Sequence, residues 1–167
     1  MRRAAWIVGF VGILLVSSPA SALTVQPLHA EFKETFGRAT PRPCEHFLCG
    51  TGTVLGFGAA TSAFDITDFA PIEDTNCADL AAVRVITLVG DGSVLTLDEE
   101  GVVCFPGNSF FAPGAQVSFG NPARYEGSFE VSDGTGVFES ASGSGTGVFK
   151  NAGDSGHATI DGTISLP

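Results

Sequence analysis

The sequence predicts an all-β protein, an antiparallel eight-stranded closed barrel, with a β-sandwich as the alternative. Short apolar or alternating runs follow one another from residue 50 onward, and turn signals such as Asp91-Gly92 separate them. The part of the chain after the N-terminal apolar run shows no convincing amphipathic helix. Glycines placed inside the candidate strands favour the closed barrel over the sandwich.

The runs predict eight strands. They cover residues 50–57, 82–89, 93–98, 101–105, 116–120, 125–132, 144–150 and 157–166. Turns are expected at 91–92, 99–101 and 154–156. The strands at 125–132 and 157–166 alternate apolar and polar residues, which is typical of an antiparallel sheet with one face in water. Residues 83–89 are apolar on both faces, so we expect that strand to be covered on both sides.

The pentapeptide GTGVF occurs twice, at residues 134–138 and 145–149, in a chain with 22 glycines. Interior glycine weakens a strand unless it lets the sheet coil or makes room for a large neighbouring side chain. Gly145, Gly147 and Phe149 fall on one face of their strand. The repeat therefore predicts packing of small and large residues inside a tightly curved sheet, as in a small barrel. A flexible Gly/Ser linker is the alternative.

The N-terminus has the pattern of a secretory signal peptide. A basic start at residues 1–3 is followed by an apolar run at 4–16 and by the small residues Ala20-Ser21-Ala22. The run is shorter than the roughly 20 apolar residues of a spanning helix. We therefore expect a signal peptide at 1–22, an irregular proline-containing arm at 23–49 and a barrel domain at 50–167. The mature protein should be secreted, periplasmic or at the cell surface, without a transmembrane segment.

Four cysteines lie after the predicted cleavage site. An even number in an exported chain favours disulfides, and three pairings are open. We favour Cys44–Cys49, which closes a tight loop, and Cys77–Cys104, which ties a loop to a strand. A metal site with His46 is the alternative, but the spacing differs from common zinc sites, so we expect no metal.

The charge balance argues against nucleic acid as a partner. The chain has 8 Lys and Arg against 18 Asp and Glu, a formal net charge of −10, and its basic residues are scattered along the sequence. Acidic residues at 65–74 and 98–100 raise the alternative of calcium binding. They match no EF-hand or repeat pattern, so we interpret them as solvated loop residues and expect no cofactor.

Residues 127–147 read GSFEVSDGTGVFESASGSGTG. This segment resembles the G-x-F-x-V-x-G-G-T-G-x-F-x-G-A-x-G-x-G pattern of the allene oxide cyclase and dirigent superfamily, which includes small secreted bacterial proteins of unknown role. Asp133 replaces the first of the paired glycines, and Ser140 stands where a glycine is usual. The resemblance covers about the last third of the chain and implies an eight-stranded, lipocalin-like barrel. It places no catalytic residue on this sequence.

Arg84 is the notable charge, because it lies in the most apolar strand on the same face as Ile86 and Leu88. A charge that faces a core or a cavity must be paired. One interpretation is an anchor for a ligand carboxylate. The other is a structural salt bridge or a side chain that reaches solvent on the outer face. The candidate salt-bridge partners are Asp65, Asp68 and Glu130.

Phenylalanines are concentrated in the second half of the chain, and most are expected to fill the core. Phe110-Phe111 lies in a loop between Pro106 and Pro113, as a cavity rim or lid would. We group Phe110, Phe111, Arg84 and Tyr125 as candidate ligand-binding residues.

These features favour a non-enzymatic exported barrel that binds a small hydrophobic ligand or a surface partner. No G-x-S-x-G motif is present, and Ser155-Gly156-His157 does not by itself make a nucleophile and base. An isomerase or cyclase that moulds an apolar substrate is one alternative, which the family resemblance permits. A structural extracellular protein without a pocket is the other.

Overall fold

The computed structural model describes residues 23–37, 44–105 and 122–167. Within these ranges eight antiparallel strands close into a barrel, each pairing with the next along the chain and the eighth with the first. The strands are β1 (Thr24–Phe36), β2 (Leu48–Val54), β3 (Gly58–Pro71), β4 (Cys77–Leu88), β5 (Val94–Cys104), β6 (Ala123–Gly134), β7 (Ser142–Ala152) and β8 (Ser155–Leu166). The predicted closed barrel is confirmed, and the sandwich alternative is wrong.

Three sequence-based predictions fall outside the described residues. They are the signal peptide at 1–22, the strand at 116–120 and the loop pair Phe110-Phe111. In the part of the chain that the structure describes, no helix is long and apolar enough to cross a membrane.

The expectation of an irregular arm at 23–49 is wrong for Thr24–Phe36, because these residues form β1, a 13-residue strand that pairs with both β2 and β8. The barrel therefore begins at Thr24 rather than at residue 50. Pro27 made a strand improbable from sequence, since proline cannot donate to a ladder. Alternate residues of β1 nevertheless face the interior, and Glu34 is one of them at 0% exposure. Because the inward residue Glu34 is charged, the apolar alternation of β1 could not be recognised from the sequence.

The same cause explains the other errors. The predicted turn at 99–101 is wrong, because β5 runs without a break from Val94 to Cys104 with Glu99 buried on its inner face. Strand β3 was not predicted, since its inner face combines Ala60, Ser62 and Phe64. A strand that directs polar residues inward does not show the usual apolar alternation.

The outer face of β4 is less covered than predicted. Val83 and Val85 are half-buried and Val89, just after the strand, is 65% exposed. Only the inner face of β4, with Ala82, Ile86 and Leu88, belongs to the core.

The two GTGVF copies have different structures. The copy at 145–149 lies within β7, where Phe149 is buried. In the other, Gly134 ends β6, and a 3-10 turn (Gly136–Phe138) follows and directs Phe138 into the core at 0% exposure. Gly136 has a φ of +63°, a conformation that other residues rarely adopt. The same five residues thus form a strand once and a barrel-end turn once.

Glycines of β7 and β8 make room for an aromatic ring, as predicted. A Cβ atom on Gly145 would lie 2.7 Å from the ring of Phe129, and one on Gly162 would lie 2.9 Å from it. Phe129 is itself buried on the inner face of β6. The ring therefore lies across two strands that have no side chain at these positions.

Gly145→Ala is expected to lower the free energy of unfolding by about 1–3 kcal/mol, because its Cβ would overlap the Asp161 backbone and the Phe129 ring. Gly147→Ala is the matched control on the same face of β7. Its Cβ would have its nearest contact at 3.2 Å, so we expect a change of about 1 kcal/mol or less. Urea unfolding of both variants tests this, and equal losses would contradict the packing described here.

Candidate functional site

A buried polar centre lies inside the barrel around Arg84. The alternation of β4 directs Ala82, Arg84 and Ile86 inward, and Arg84 is only 1% exposed. A guanidinium removed from water in this way needs charged or hydrogen-bonding partners.

Two carboxylates from different strands provide these partners. Arg84 Nη1 donates a short hydrogen bond to Glu34 Oε1 of β1, and Arg84 Nε donates to Glu99 Oε1 of β5 at 2.5 Å. Ser62 of β3 joins them: Arg84 Nη1 donates to Ser62 Oγ at 2.8 Å, and Ser62 Oγ donates to Glu34 Oε1 at 2.7 Å. The four side chains are all buried.

Arg84 does form a structural salt bridge, as one interpretation predicted, but the predicted partners are wrong. Asp65, Asp68 and Glu130 lie on the exposed face of their strands. Arg84 binds two carboxylates of the chain itself, so its charge is already compensated. This arrangement argues against the interpretation of Arg84 as an anchor for a ligand carboxylate.

Aromatic rings bring Tyr125 to the same centre. The Arg84 guanidinium carbon lies 4.7 Å from the centroid of the Phe64 ring, and the Phe64 and Tyr125 centroids are 6.1 Å apart. Two of the four predicted ligand-binding residues, Arg84 and Tyr125, therefore meet inside the barrel. The other two, Phe110 and Phe111, lie outside the described residues.

The electrostatics of the centre follow from its burial. Burial alone lowers the pKa of Arg84, but Glu34 and Glu99 raise it, and the net result is a pKa above the ordinary value of arginine. Burial raises the pKa of the Tyr125 hydroxyl, and the nearby Glu99 carboxylate raises it further. Arg84 thus stays charged and Tyr125 stays a neutral phenol at neutral pH.

Three buried polar atoms of the centre form no hydrogen bond of good geometry among the described residues, although the Tyr125 hydroxyl interacts with the Glu99 carboxylate. They are Glu34 Oε2, Glu99 Oε2 and the Tyr125 hydroxyl oxygen. Native structures rarely leave such atoms unpaired, and each case needs an explanation. On the β7 side of the centre Gly147 lies next to Glu99 Oε2, with no side chain between them.

The partners of Arg84 were not found from sequence, although a signal for them exists. Glu34 follows Phe32 by two residues and Glu99 follows Leu97 by two, so a period of two places both carboxylates on the inner face. A buried arginine requires such a partner, and a search for inward acidic residues would have found both.

The two ends of the barrel differ. At one end the 3-10 turn closes over the core, and the Phe138 ring lies 4.8 Å from the Phe57 ring between centroids. At the other end both predicted disulfides are present, Cys44–Cys49 and Cys77–Cys104, and the second joins paired residues of β4 and β5. The pairing that we favoured is confirmed.

The residues of the alternative metal site have other partners: Cys44 and Cys49 form a disulfide, and His46 pairs with Asp65. His46 Nδ1 lies 2.6 Å from Asp65 Oδ2, and Asp65 also accepts a hydrogen bond from the Phe47 backbone N–H. Within the described ranges no three His, Cys, Asp or Glu side chains come together as metal ligands.

The outer face carries a basic row that the sequence did not indicate. Arg124, Lys150, His157 and Lys33 are successive register partners across β6, β7, β8 and β1, and all four are exposed. Lys33 and His157 also line a shallow surface groove of about 330 Å³. Three of the four described Lys and Arg residues therefore lie together on one face, although they are far apart in the sequence.

Comparison of the chain with protein-family models, with curated proteins and with solved structures gives no match. The resemblance of residues 127–147 to the allene oxide cyclase and dirigent superfamily stays a prediction from the sequence.

Proposed function

We propose that this is an exported binding protein that holds a small, largely apolar molecule inside its barrel, with the polar end of that molecule at the centre around Arg84. The observation that carries the proposal is the set of three unpartnered buried atoms, Glu34 Oε2, Glu99 Oε2 and the Tyr125 hydroxyl. Ligand sites are mostly apolar and contain a few convergent polar groups that orient the ligand.

The surroundings of the centre support this proposal. Phe64, Phe129 and Ile160 belong to the apolar core of the barrel, so a bound molecule would contact mainly hydrocarbon. Export is supported by the signal-peptide pattern at residues 1–22 and by the two disulfides, which are typical of oxidising compartments.

Native mass spectrometry of the protein purified from the exported fraction tests the proposal. We expect the mass of residues 23–167 with two disulfides and a small molecule that is released on denaturation. After the retained molecule has been extracted, we also expect the purified protein to bind the uncharged fluorescent probe N-phenyl-1-naphthylamine.

A matched pair of variants locates that binding. Gly147→Leu should abolish probe binding, since its Cβ alone would lie 3.2 Å from Glu99 Oε2 and the rest of its side chain would crowd the polar centre. Thr146→Leu, which adds a similar side chain to the exposed face of the same strand, should leave binding unchanged. A bare mass together with no probe binding by the wild-type protein would contradict the proposal.

Catalysis is the second candidate, and the convergence of Glu34, Glu99 and Tyr125 is the observation that favours it. Buried carboxylates beside a neutral phenol are groups that an isomerase or cyclase could use for proton transfer. Binding remains the first proposal, because both carboxylates already compensate Arg84. If an apolar molecule supplied to the purified protein is recovered from it in chemically altered form, catalysis would be favoured.

A surface partner is the remaining alternative for a binding protein. The basic row of Arg124, Lys150, His157 and Lys33 supports a partner with negative charge at that face.

A further inference from the structure

We infer that the polar end of the bound molecule is a protonated amine, so that the ligand is a small apolar ammonium compound. This inference rests on the proposed function, since it assigns the chemistry of the group that meets the polar centre. It follows from two properties of the centre, its charge and its free hydrogen-bonding atoms.

The first property is the charge. The buried charged residues of the described barrel are Glu34, Arg84 and Glu99, two carboxylates against one guanidinium. The centre therefore has one negative charge in excess when all three groups are ionised. In an interior of low dielectric constant an uncompensated charge is strongly unfavourable. A ligand that carries one positive charge would make the centre neutral.

The second property is the kind of atom left unpaired. Glu34 Oε2 and Glu99 Oε2, when ionised, can only accept hydrogen bonds, and the Tyr125 hydroxyl can accept one as well as donate one. An ammonium group offers three N–H donors and no acceptor. In number the three oxygen atoms match the three donors, and bonds to the two carboxylates would be charge-assisted.

Other head groups fit this set less well. A carboxylate would add a third anion to a centre that already has one negative charge in excess, and Arg84 Nε and Nη1 already donate to Glu99, Glu34 and Ser62. An alcohol offers one donor for two carboxylate oxygens and leaves the excess charge in place. The centre therefore favours a basic head group over the ligand carboxylate that was one of the two interpretations of Arg84.

Competition with bound N-phenyl-1-naphthylamine near neutral pH tests the inference on the intact protein. The competitors have the same chain length and differ only in the head group: octylamine, octyltrimethylammonium, octanol and octanoate. We expect octylamine to bind at least about tenfold more tightly than octanol, the equivalent of about 1.4 kcal/mol, and octanoate to bind most weakly. Octyltrimethylammonium, which has the charge but no N–H donor, should fall between octylamine and octanol.

Two variants separate a local effect from the general charge of the protein. Glu99→Gln should remove most of the preference for octylamine over octanol. Glu100→Gln removes the same charge at the next residue, whose side chain is exposed, and should keep the preference. If Glu99→Gln does not fold, Glu34→Gln provides the same comparison on β1. The increase of the melting temperature of the wild-type protein with each competitor gives an independent ranking.

The outcomes separate this inference from the proposed function. If octanol or octanoate binds as tightly as octylamine, the ammonium assignment is overturned while an apolar binding site remains. An equal loss of preference in Glu99→Gln and Glu100→Gln would also overturn it, because the selectivity would then come from net charge. If neither the fluorescent probe nor any competitor binds, the proposed function fails and the inference fails with it.

Discussion

Arg84→Met is expected to lower the free energy of unfolding by about 3–5 kcal/mol, the usual cost of removing one partner from a buried ion pair. The substitution keeps much of the side-chain volume but leaves Glu34 and Glu99 buried without their cation. Because both carboxylates have at most 1% exposure, water cannot replace the lost interaction without opening the barrel. Urea unfolding monitored by circular dichroism measures the change.

Two comparison variants show whether the loss comes from the unpaired charges. Arg124→Met removes an exposed arginine that pairs with Glu126 and should cost less than about 1 kcal/mol. The triple variant Arg84→Met, Glu34→Leu, Glu99→Leu should recover most of the stability, since apolar residues often replace a buried ion cluster at little cost. If the triple variant is less stable than Arg84→Met, the polar centre stabilises the fold by more than charge compensation.

The barrel could be predicted from sequence because its second half follows simple rules. In β6 and β8 apolar and polar residues alternate, and glycines of β7 and β8 lie where a ring from β6 needs space. Local patterns of this kind depend on neighbouring strands and need no knowledge of the rest of the fold.

The first half could not be predicted in the same way, because its strands direct polar residues inward. Glu34 in β1, Ser62 in β3 and Glu99 in β5 break the apolar period. They are acceptable inside the barrel only because all three meet Arg84, and the ring closure that brings β1 near β4 is not visible in any local stretch. The inward polar residues that hide these strands in the sequence are thus the same residues that form the candidate site.

The polar centre explains why a partial identification of the site was still possible. Arg84 and Tyr125 were selected as isolated residues, the first for its charge in an apolar strand. Their partners required the register of the whole sheet. A buried charge therefore indicates that a site exists, but the closed topology determines which groups complete it.

Phe138→Ala is expected to lower the free energy of unfolding by about 3–5 kcal/mol, because the ring is fully buried and its removal leaves a cavity at the barrel end. The adjacent Val137 is 46% exposed, so Val137→Ala should cost less than about 1 kcal/mol. The two variants truncate neighbouring residues of the same repeated pentapeptide, which makes them a matched pair for urea unfolding.

The second copy of the pentapeptide extends this test to the two structures that one sequence adopts. Phe149→Ala in β7 also removes a buried ring and should cost a similar amount, although Phe149 packs edge-to-face against Phe36 at 6.3 Å between centroids rather than against Phe57. Stability changes that are large for both phenylalanines and small for Val137 would show that the turn and the strand copy serve the same core. If Phe138→Ala leaves the stability unchanged, the 3-10 turn does not close the barrel, and that end of the interior is open to solvent.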